Sequence, residues 1–148
     1  IGEGYRSNSH GIQQLKVILG DLVKEIVTVP LPHWNGKNEC LHLMSNLSPL
    51  DHNLFLIYPP LLPVSFIQFL IDRKIKLIEV PESEYDSMGC NVLAIGHKKV
   101  IMVEGNSITK NLIEEEGIEV FTYDGTEISL KGAGGPTCLT RPFLRTSL

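Results

Sequence analysis

Residues 63–80, PVSFIQFLIDRKIKLIEV, followed after a loop by residues 90–103, CNVLAIGHKKVIMV, decide the fold. Pro63 suits the first position of a helix, because its missing N–H would be unpaired there anyway. Phe66, Ile67, Leu70 and Ile71 then recur at helical spacing and form one apolar stripe. Residues 75–80, with Ile75, Leu77, Ile78 and Val80, read as a strand. Residues 90–95 and 100–103 read as a hairpin closed by Gly96-His97-Lys98-Lys99. The order is helix, strand, long loop, hairpin.

Working outward, the same order occurs on both sides. Upstream, Asn8 or Ser9 caps a predicted helix whose apolar positions are Ile12, Leu15, Ile18 and Leu19, with Gly20 at its C-terminal end. A β-branched strand over 23–29 follows, then a polar loop. A second strand over 40–46 turns through residues 49–53 into 54–58. Downstream, Asn106 caps a helix over 107–116, with Ile108, Leu112 and Ile113 inward and Gly117 after its end. A strand over 118–122, a loop and a strand over 136–143 complete the third copy. One such unit cannot bury its own apolar face, so neighbours must pack on it. The expectation is an α/β fold of ββαβ repeats about a pseudo-symmetry axis, with a site where strand ends converge. Residues 1–148 read as part of one domain, with no linker or low-complexity segment.

Composition narrows the function. At 43% apolar and 20% charged residues the chain is ordinary globular protein, and 148 residues suffice for a real core. The net charge of −4, with no dense basic face, disfavours nucleic acid and anionic membranes as partners. The run 61–70 is interrupted by Pro63, Ser65 and Gln68, so it does not span a bilayer. Cys40, Cys90 and Cys138 are odd in number and form no Cys-x-x-Cys pair. A reducing, cytoplasmic setting fits them better than a disulfide framework. The chain begins with Ile1, and its opening strand-like residues run straight into a helix signal. It reads as a chain entered in the middle of a fold.

Gly132-Ala133-Gly134-Gly135-Pro136-Thr137-Cys138 is the sharpest chemical feature. A glycine-rich backbone permits close approach of a ligand to main-chain N–H groups, and a thiol at its end can be exposed and oriented. The same run also fits a tight bend before a strand carrying a buried structural cysteine. A phosphate-binding loop is excluded: no Gly-Lys-Ser/Thr follows, and Pro136 and Pro142 argue against a helix there. On the predicted strand 40–46, residues 40, 42 and 44 share one face and Leu41 and Leu43 the other. His42 then points away from the packed layer. Alone it reads as an ordinary polar-face histidine; beside Cys138 it becomes a candidate thiol–imidazole partner. Zinc ligation by Cys40 and His42 lacks the required spacing. Arg6 can take a substrate carboxylate bidentately or remain a solvated surface arginine. The run 114–116 reads as a solvated helix face, and His33, Trp34 and Asn35 as a loop flap.

These residues together resemble a known superfamily. Arg6-Ser7-Asn8 followed by Gly11 resembles the Arg-Thr-Asn-x-x-Gly segment of arginine deiminases and dimethylargininases. Leu41-His42-Leu43 resembles their histidine strand, and Gly134-Gly135-Pro136-Thr137-Cys138-Leu139-Thr140 their terminal cysteine motif. Gly89-Cys90-Asn91-Val92-Leu93-Ala94 and Glu104-Gly105-Asn106 also look like family segments. The likeness runs over essentially the whole chain, as the C-terminal half of an amidinotransferase, dimethylarginine dimethylaminohydrolase or arginine deiminase. These are pentein-fold proteins, propellers of five ββαβ units. The resemblance implies cysteine-dependent hydrolysis of a guanidine such as arginine or methylated arginine, without a metal or cofactor. Cys138 is the implied nucleophile, His42 the proton shuttle, and Arg6, Gly134, Gly135 and Thr137 the substrate contacts. It places the guanidinium-binding carboxylates in an N-terminal half absent here. The fragment alone is therefore expected to be inactive, and to self-associate or associate with that half. Met44 stands where deiminases and amidinotransferases carry Asp, and Ser7 where the segment has Thr. An amidinotransferase, or a non-catalytic remnant that only binds, is the alternative.

Overall fold

The computed structural model describes residues 1–39 and 41–144. Its elements are β1 Gly2–Glu3, α1 Ser9–Leu19, β2 Val29–Pro30, α2 Leu43–Asn46, β3 Leu47–Asp51, β4 Leu54–Ile57, α3 Val64–Asp72, β5 Lys76–Glu79, β6 Leu93–Gly96, β7 Lys99–Val103, α4 Ser107–Glu115, β8 Glu119–Tyr123 and α5 Pro136–Leu139.

Two three-stranded sheets share one plan. β3 and β4 form an antiparallel hairpin, α3 crosses over, and β5 returns parallel to β4. β6 and β7 form the second hairpin, α4 crosses over, and β8 returns parallel to β7. Each is a ββαβ unit, as the repeat predicted. Ahead of them β1, α1 and the parallel partner β2 repeat the last three parts of the plan.

Alternation along β4 explains the packing. Leu54, Leu56 and Tyr58 enter one core cluster with Ile78, Val92, Val100 and Met102. Phe55 and Ile57 face the other side, against Phe66, Leu70 and Val29. A strand buried on both faces is what a parallel pairing beneath a crossover helix requires. Leu56 has no exposed surface. Leu56→Ala should therefore destabilise the protein by about 2–5 kcal/mol, read as a lower urea midpoint at unchanged slope. A cost below about 1 kcal/mol would show that this side chain does not hold the two units together.

Several expectations are corrected. The strand predicted over 23–29 is reduced to Val29–Pro30. The strand predicted over 40–46 is instead the helical turn α2, and the hairpin's first strand starts at Leu47. That strand contains Pro49, which a sheet tolerates here because β3 lies at the edge of its sheet. Cys40 lies outside the described residues. The strand predicted over 136–143 is the short helix α5, with Pro136 at its first position. The same preorganised φ that suits Pro63 to a helix start applies to Pro136. Pro63 itself caps α3 from one position earlier than predicted.

Inward faces also differ. On α1 only Ile12 is buried, while Val17 and Ile18 are more than 70% exposed. On α4 the buried residues are Thr109 and Ile113, and Ile108 is half exposed. Asn106 does not cap α4 with its side chain. It accepts from Ser87 Oγ at 2.6 Å and donates to the Ser87 and Val103 carbonyls. The cap comes from Glu84, a buried carboxylate whose two oxygens accept from the Ile108 and Thr109 N–H groups at 2.8 Å each. Among the described residues no helix is long and apolar enough to cross a membrane.

Candidate active site

The glycine-rich segment is built for close approach. Gly134 and Gly135 are buried, and the left-handed backbone of this segment falls on Ala133, with φ 53°. A Cβ on Gly135 would overlap Asn91, lying 2.6 Å from its Oδ1 and 2.7 Å from its Cβ. A Cβ on Gly134 would lie 3.2 Å from Cys138 Cβ. These glycines thus let the chain press against Asn91 and fold back on Cys138. The Gly134 N–H is donated to the Ser129 carbonyl at 3.0 Å, and Ser129 Oγ is paired with Tyr123 Oη at 2.7 Å.

Cys138 emerges on α5 and is exposed. Asn91 Nδ2 donates to its Sγ at 3.3 Å. Asn91 Oδ1 accepts from the Thr137 N–H at 3.0 Å and the Thr137 hydroxyl at 2.8 Å. Both Thr137 donors are therefore used within the protein. Asn91 is itself buried, in a segment braced from both sides. Its N–H reaches the Met88 carbonyl at 2.9 Å, and Ser48 Oγ donates to the Cys90 carbonyl at 2.7 Å and accepts from the Val92 N–H at 3.1 Å. The linkage is repeated: Ser48 of one unit grips residues 90–92 of the next, and Asn91 of that unit grips residues 137–138 beyond it.

Cys90 has the opposite environment. It is 1% exposed within the core, and burial pushes its thiol up from the ordinary cysteine value. Gly135→Ala should break the contact between the two segments. The added methyl overlaps Asn91 in a packed region, at a cost of about 1–3 kcal/mol. Alkylation of Cys138 should change in the same variant, because Asn91 must move. A Gly135→Ala protein with unchanged melting temperature and alkylation rate would mean that the close approach has no consequence.

His42 stands just before α2 with an extended backbone, and it is exposed. Its N–H donates to Ser45 Oγ at 3.2 Å and its carbonyl accepts from the Ser45 N–H at 2.9 Å. The predicted alternation of exposure survives the change from strand to turn: Leu41 is buried and Leu43 half-buried, while His42 and Met44 are exposed. Leu41 shares the core cluster with Cys90 and Val92, so one packed layer supports both His42 and the Asn91 segment. α2 is held by Asn46, which is fully buried. Asn46 accepts from Tyr85 Oη at 2.7 Å and donates to the Leu61 carbonyl at 3.3 Å. Tyr85 stacks on Tyr58 at 3.9 Å, and Trp34 meets its edge at 5.6 Å. Burial raises the Tyr85 phenol well above its ordinary value, so it remains a donor to Asn46.

Arg6 is exposed, in the turn between β1 and α1. It lines a shallow cleft of about 330 Å³ with Ser7, Asn8 and Ile12. Neither Cys138 nor His42 lines that cleft or the neighbouring one of about 340 Å³ beside Phe66 and Leu43. Asn91 and Glu84 are the polar residues that the sequence does not announce. Asn91 falls in the Gly89–Ala94 segment, but nothing local marks it as a partner of a residue 47 positions away.

Known proteins share this arrangement of ββαβ units. The family model described as arginine deiminase matches residues 61–145, more than half of the chain. The uncharacterized protein YkgA of Bacillus subtilis (strain 168) is 31% identical over 145 residues, covering 98% of this chain and 48% of that protein. The arginine deiminase of Borrelia garinii subsp. bavariensis is 34% identical over 89 residues, covering 55% of this chain and 22% of that protein. Among solved structures, DDAH from Pseudomonas aeruginosa complexed with citrulline matches with a TM-score of 0.73 and 29% identity, over 93% of this chain and 48% of that one. The product-bound N-terminal domain of ArgZ, a cyanobacterial arginine dihydrolase, matches with a TM-score of 0.74 and 26% identity, again over 93% and 48%. The chain belongs to the arginine deiminase family, within the pentein-fold enzymes. It spans at most about half the length of these curated relatives.

Proposed function

We propose that the protein takes part in cysteine-dependent hydrolysis of a guanidine substrate, arginine or a methylated arginine. The observation that carries this reading is the exposed Cys138 thiol, held by the Asn91 amide behind a segment whose glycines permit that approach. The relatives' activities support the substrate class: arginine deiminases match in sequence, and the DDAH structure holds citrulline.

The chemistry proposed is a two-step displacement. The Cys138 thiolate attacks the guanidinium carbon and forms a C–S bond. His42 gives a proton to the departing nitrogen as its C–N bond breaks, releasing ammonia from arginine or a methylamine from a methylated arginine. A thiouronium remains on Cys138. His42 then takes a proton from water, the oxygen adds to the same carbon, and the C–S bond breaks to give a urea product such as citrulline. Arg6 is the proposed contact for the substrate carboxylate. Gly134, Gly135 and Thr137 are the substrate contacts that the family resemblance implies. With Gly134 N–H and both Thr137 donors already paired, their proposed role is to shape the thiol's surroundings.

Carboxylates that grip the guanidinium are proposed to come from a further segment of a complete propeller. The exposed apolar side of α1 is the proposed surface on which that segment packs. The test offers arginine, monomethylarginine and dimethylarginine to the native full-length protein and follows citrulline and the released amine. Stoichiometric citrulline and amine support hydrolysis. Release of ornithine with transfer of the amidino group to an added amine supports an amidinotransferase. Binding with neither product supports a non-catalytic module and overturns the proposal.

A further inference from the structure

We propose that Asn91 is a positioning residue for the Cys138 thiolate, acting as a fixed amide donor to the sulfur. The inference rests on Cys138 being the attacking group, and goes beyond it by assigning the group that prepares that sulfur.

The orientation of the Asn91 amide follows from its partners. Thr137 presents a backbone N–H to it at 3.0 Å, and a main-chain N–H only donates. The amide atom facing Thr137 must therefore be the oxygen. The Thr137 hydroxyl donates to that oxygen as well, at 2.8 Å. With Oδ1 holding two donors, the NH₂ group faces Sγ at 3.3 Å. A donor aimed at sulfur favours the thiolate over the thiol, because the negative form is the better acceptor.

The amide is also prevented from turning away. Asn91 is 5% exposed, and its backbone neighbours Cys90 and Val92 are both tied to the buried Ser48 hydroxyl. Gly135 lies against its side chain so closely that a methyl group does not fit between them. Thr137 and Cys138 are adjacent, so a single side chain fixes the backbone beside the sulfur and supplies a donor to it. The Thr137 hydroxyl also lies 4.0 Å from the same Sγ, but it is directed to Asn91 Oδ1 at 2.8 Å, which leaves the Asn91 amide at 3.3 Å as the nearer donor to the sulfur.

Asn91→Asp separates the two roles. Aspartate keeps both oxygen contacts to Thr137 and replaces the NH₂ donor by a second oxygen carrying negative charge. If Asn91 served only to hold Thr137, this variant would affect Cys138 only through the charge of its carboxylate, an effect that added salt weakens and that the neutral Asn91→Ser variant lacks. As a thiolate donor its loss should slow iodoacetamide alkylation of Cys138 about tenfold or more at neutral pH. The pH profile of alkylation should move to higher pH. Asn91→Ser, which removes the NH₂ with a smaller neutral side chain, should fall between the two proteins. Cys138 alkylation is read by peptide mapping on the native full-length protein, with circular dichroism to establish folding. Folded Asn91→Asp protein that alkylates at the wild-type rate with an unmoved pH profile overturns the proposal. If that variant does not fold, Asn91→Ser decides by the same criterion. The assay uses no guanidine, so its outcome is separate from the reaction itself. A slowed Cys138 in a protein that never processes a guanidine upholds the Asn91 assignment and refutes the functional reading. Turnover with an unchanged alkylation profile in the variant does the reverse.

Discussion

Cys138→Ser is expected to abolish the proposed citrulline formation by the native full-length protein, by at least about a thousandfold in kcat/KM. The reason is chemical. A serine hydroxyl in this position has the same Asn91 amide beside it, but it is not ionised near neutral pH and does not substitute for a thiolate. The variant should fold normally, since Cys138 is exposed and the change is nearly isosteric. Substrate binding should therefore persist, giving a saturable complex without product. Retention of full turnover in the variant would remove Cys138 from the reaction. The control is Cys90→Ser, which leaves the nucleophile in place but introduces a hydroxyl into a buried site. It should lower stability while leaving the residual folded fraction active.

His42→Ala should separate formation of the covalent species from its release. Thiolate attack by Cys138 on an activated halo-amidine needs no proton delivered to a leaving amine, so labelling of Cys138 should continue. Turnover of arginine needs a proton for the leaving nitrogen and a base for water, and it should fall by about 10²–10⁴. The exposure of His42 means that truncating its ring leaves no core cavity, and the fold should tolerate it. Single-turnover mass measurement checks this. Equal rates of product release in wild type and variant would reassign the proton shuttle.

Much of this architecture is legible in the sequence because it is local. The stripe from Phe66 to Leu70, the strand after it, the hairpin around Gly96 and the helix after Asn106 each carry their own signal within a few residues. The failures arise where two local rules compete. Leu41-His42-Leu43 alternates like a strand, yet residues 43–46 form a helical turn held by Asn46 and Tyr85, 39 positions apart. Pro49 looks like a turn residue and sits in an edge strand. Pro136 argues against a helix interior, yet the first helical turn, where it stands, is where proline is welcome.

The chemistry divides in the same way. The glycine run and its cysteine are contiguous and can be read directly. Asn91 and Glu84 cannot, because each acts on residues 24 or more positions away. Their roles appear only once the units are packed: one amide oriented by Thr137 toward a thiol, one buried carboxylate closing the start of α4. Arg6 stands out through its motif, and the cleft it lines is formed by residues 1–15.

The central claim, that Cys138 is the reactive nucleophile, is tested most directly by peptide mapping after labelling with less than one equivalent of 2-chloroacetamidine. The Cys138 peptide should carry essentially all of the adduct. Cys90 should react only through opening of the core, at least about a thousandfold more slowly. Equal labelling of Cys40, Cys90 and Cys138 in folded protein, or adduct mainly on Cys40 or Cys90, would contradict it.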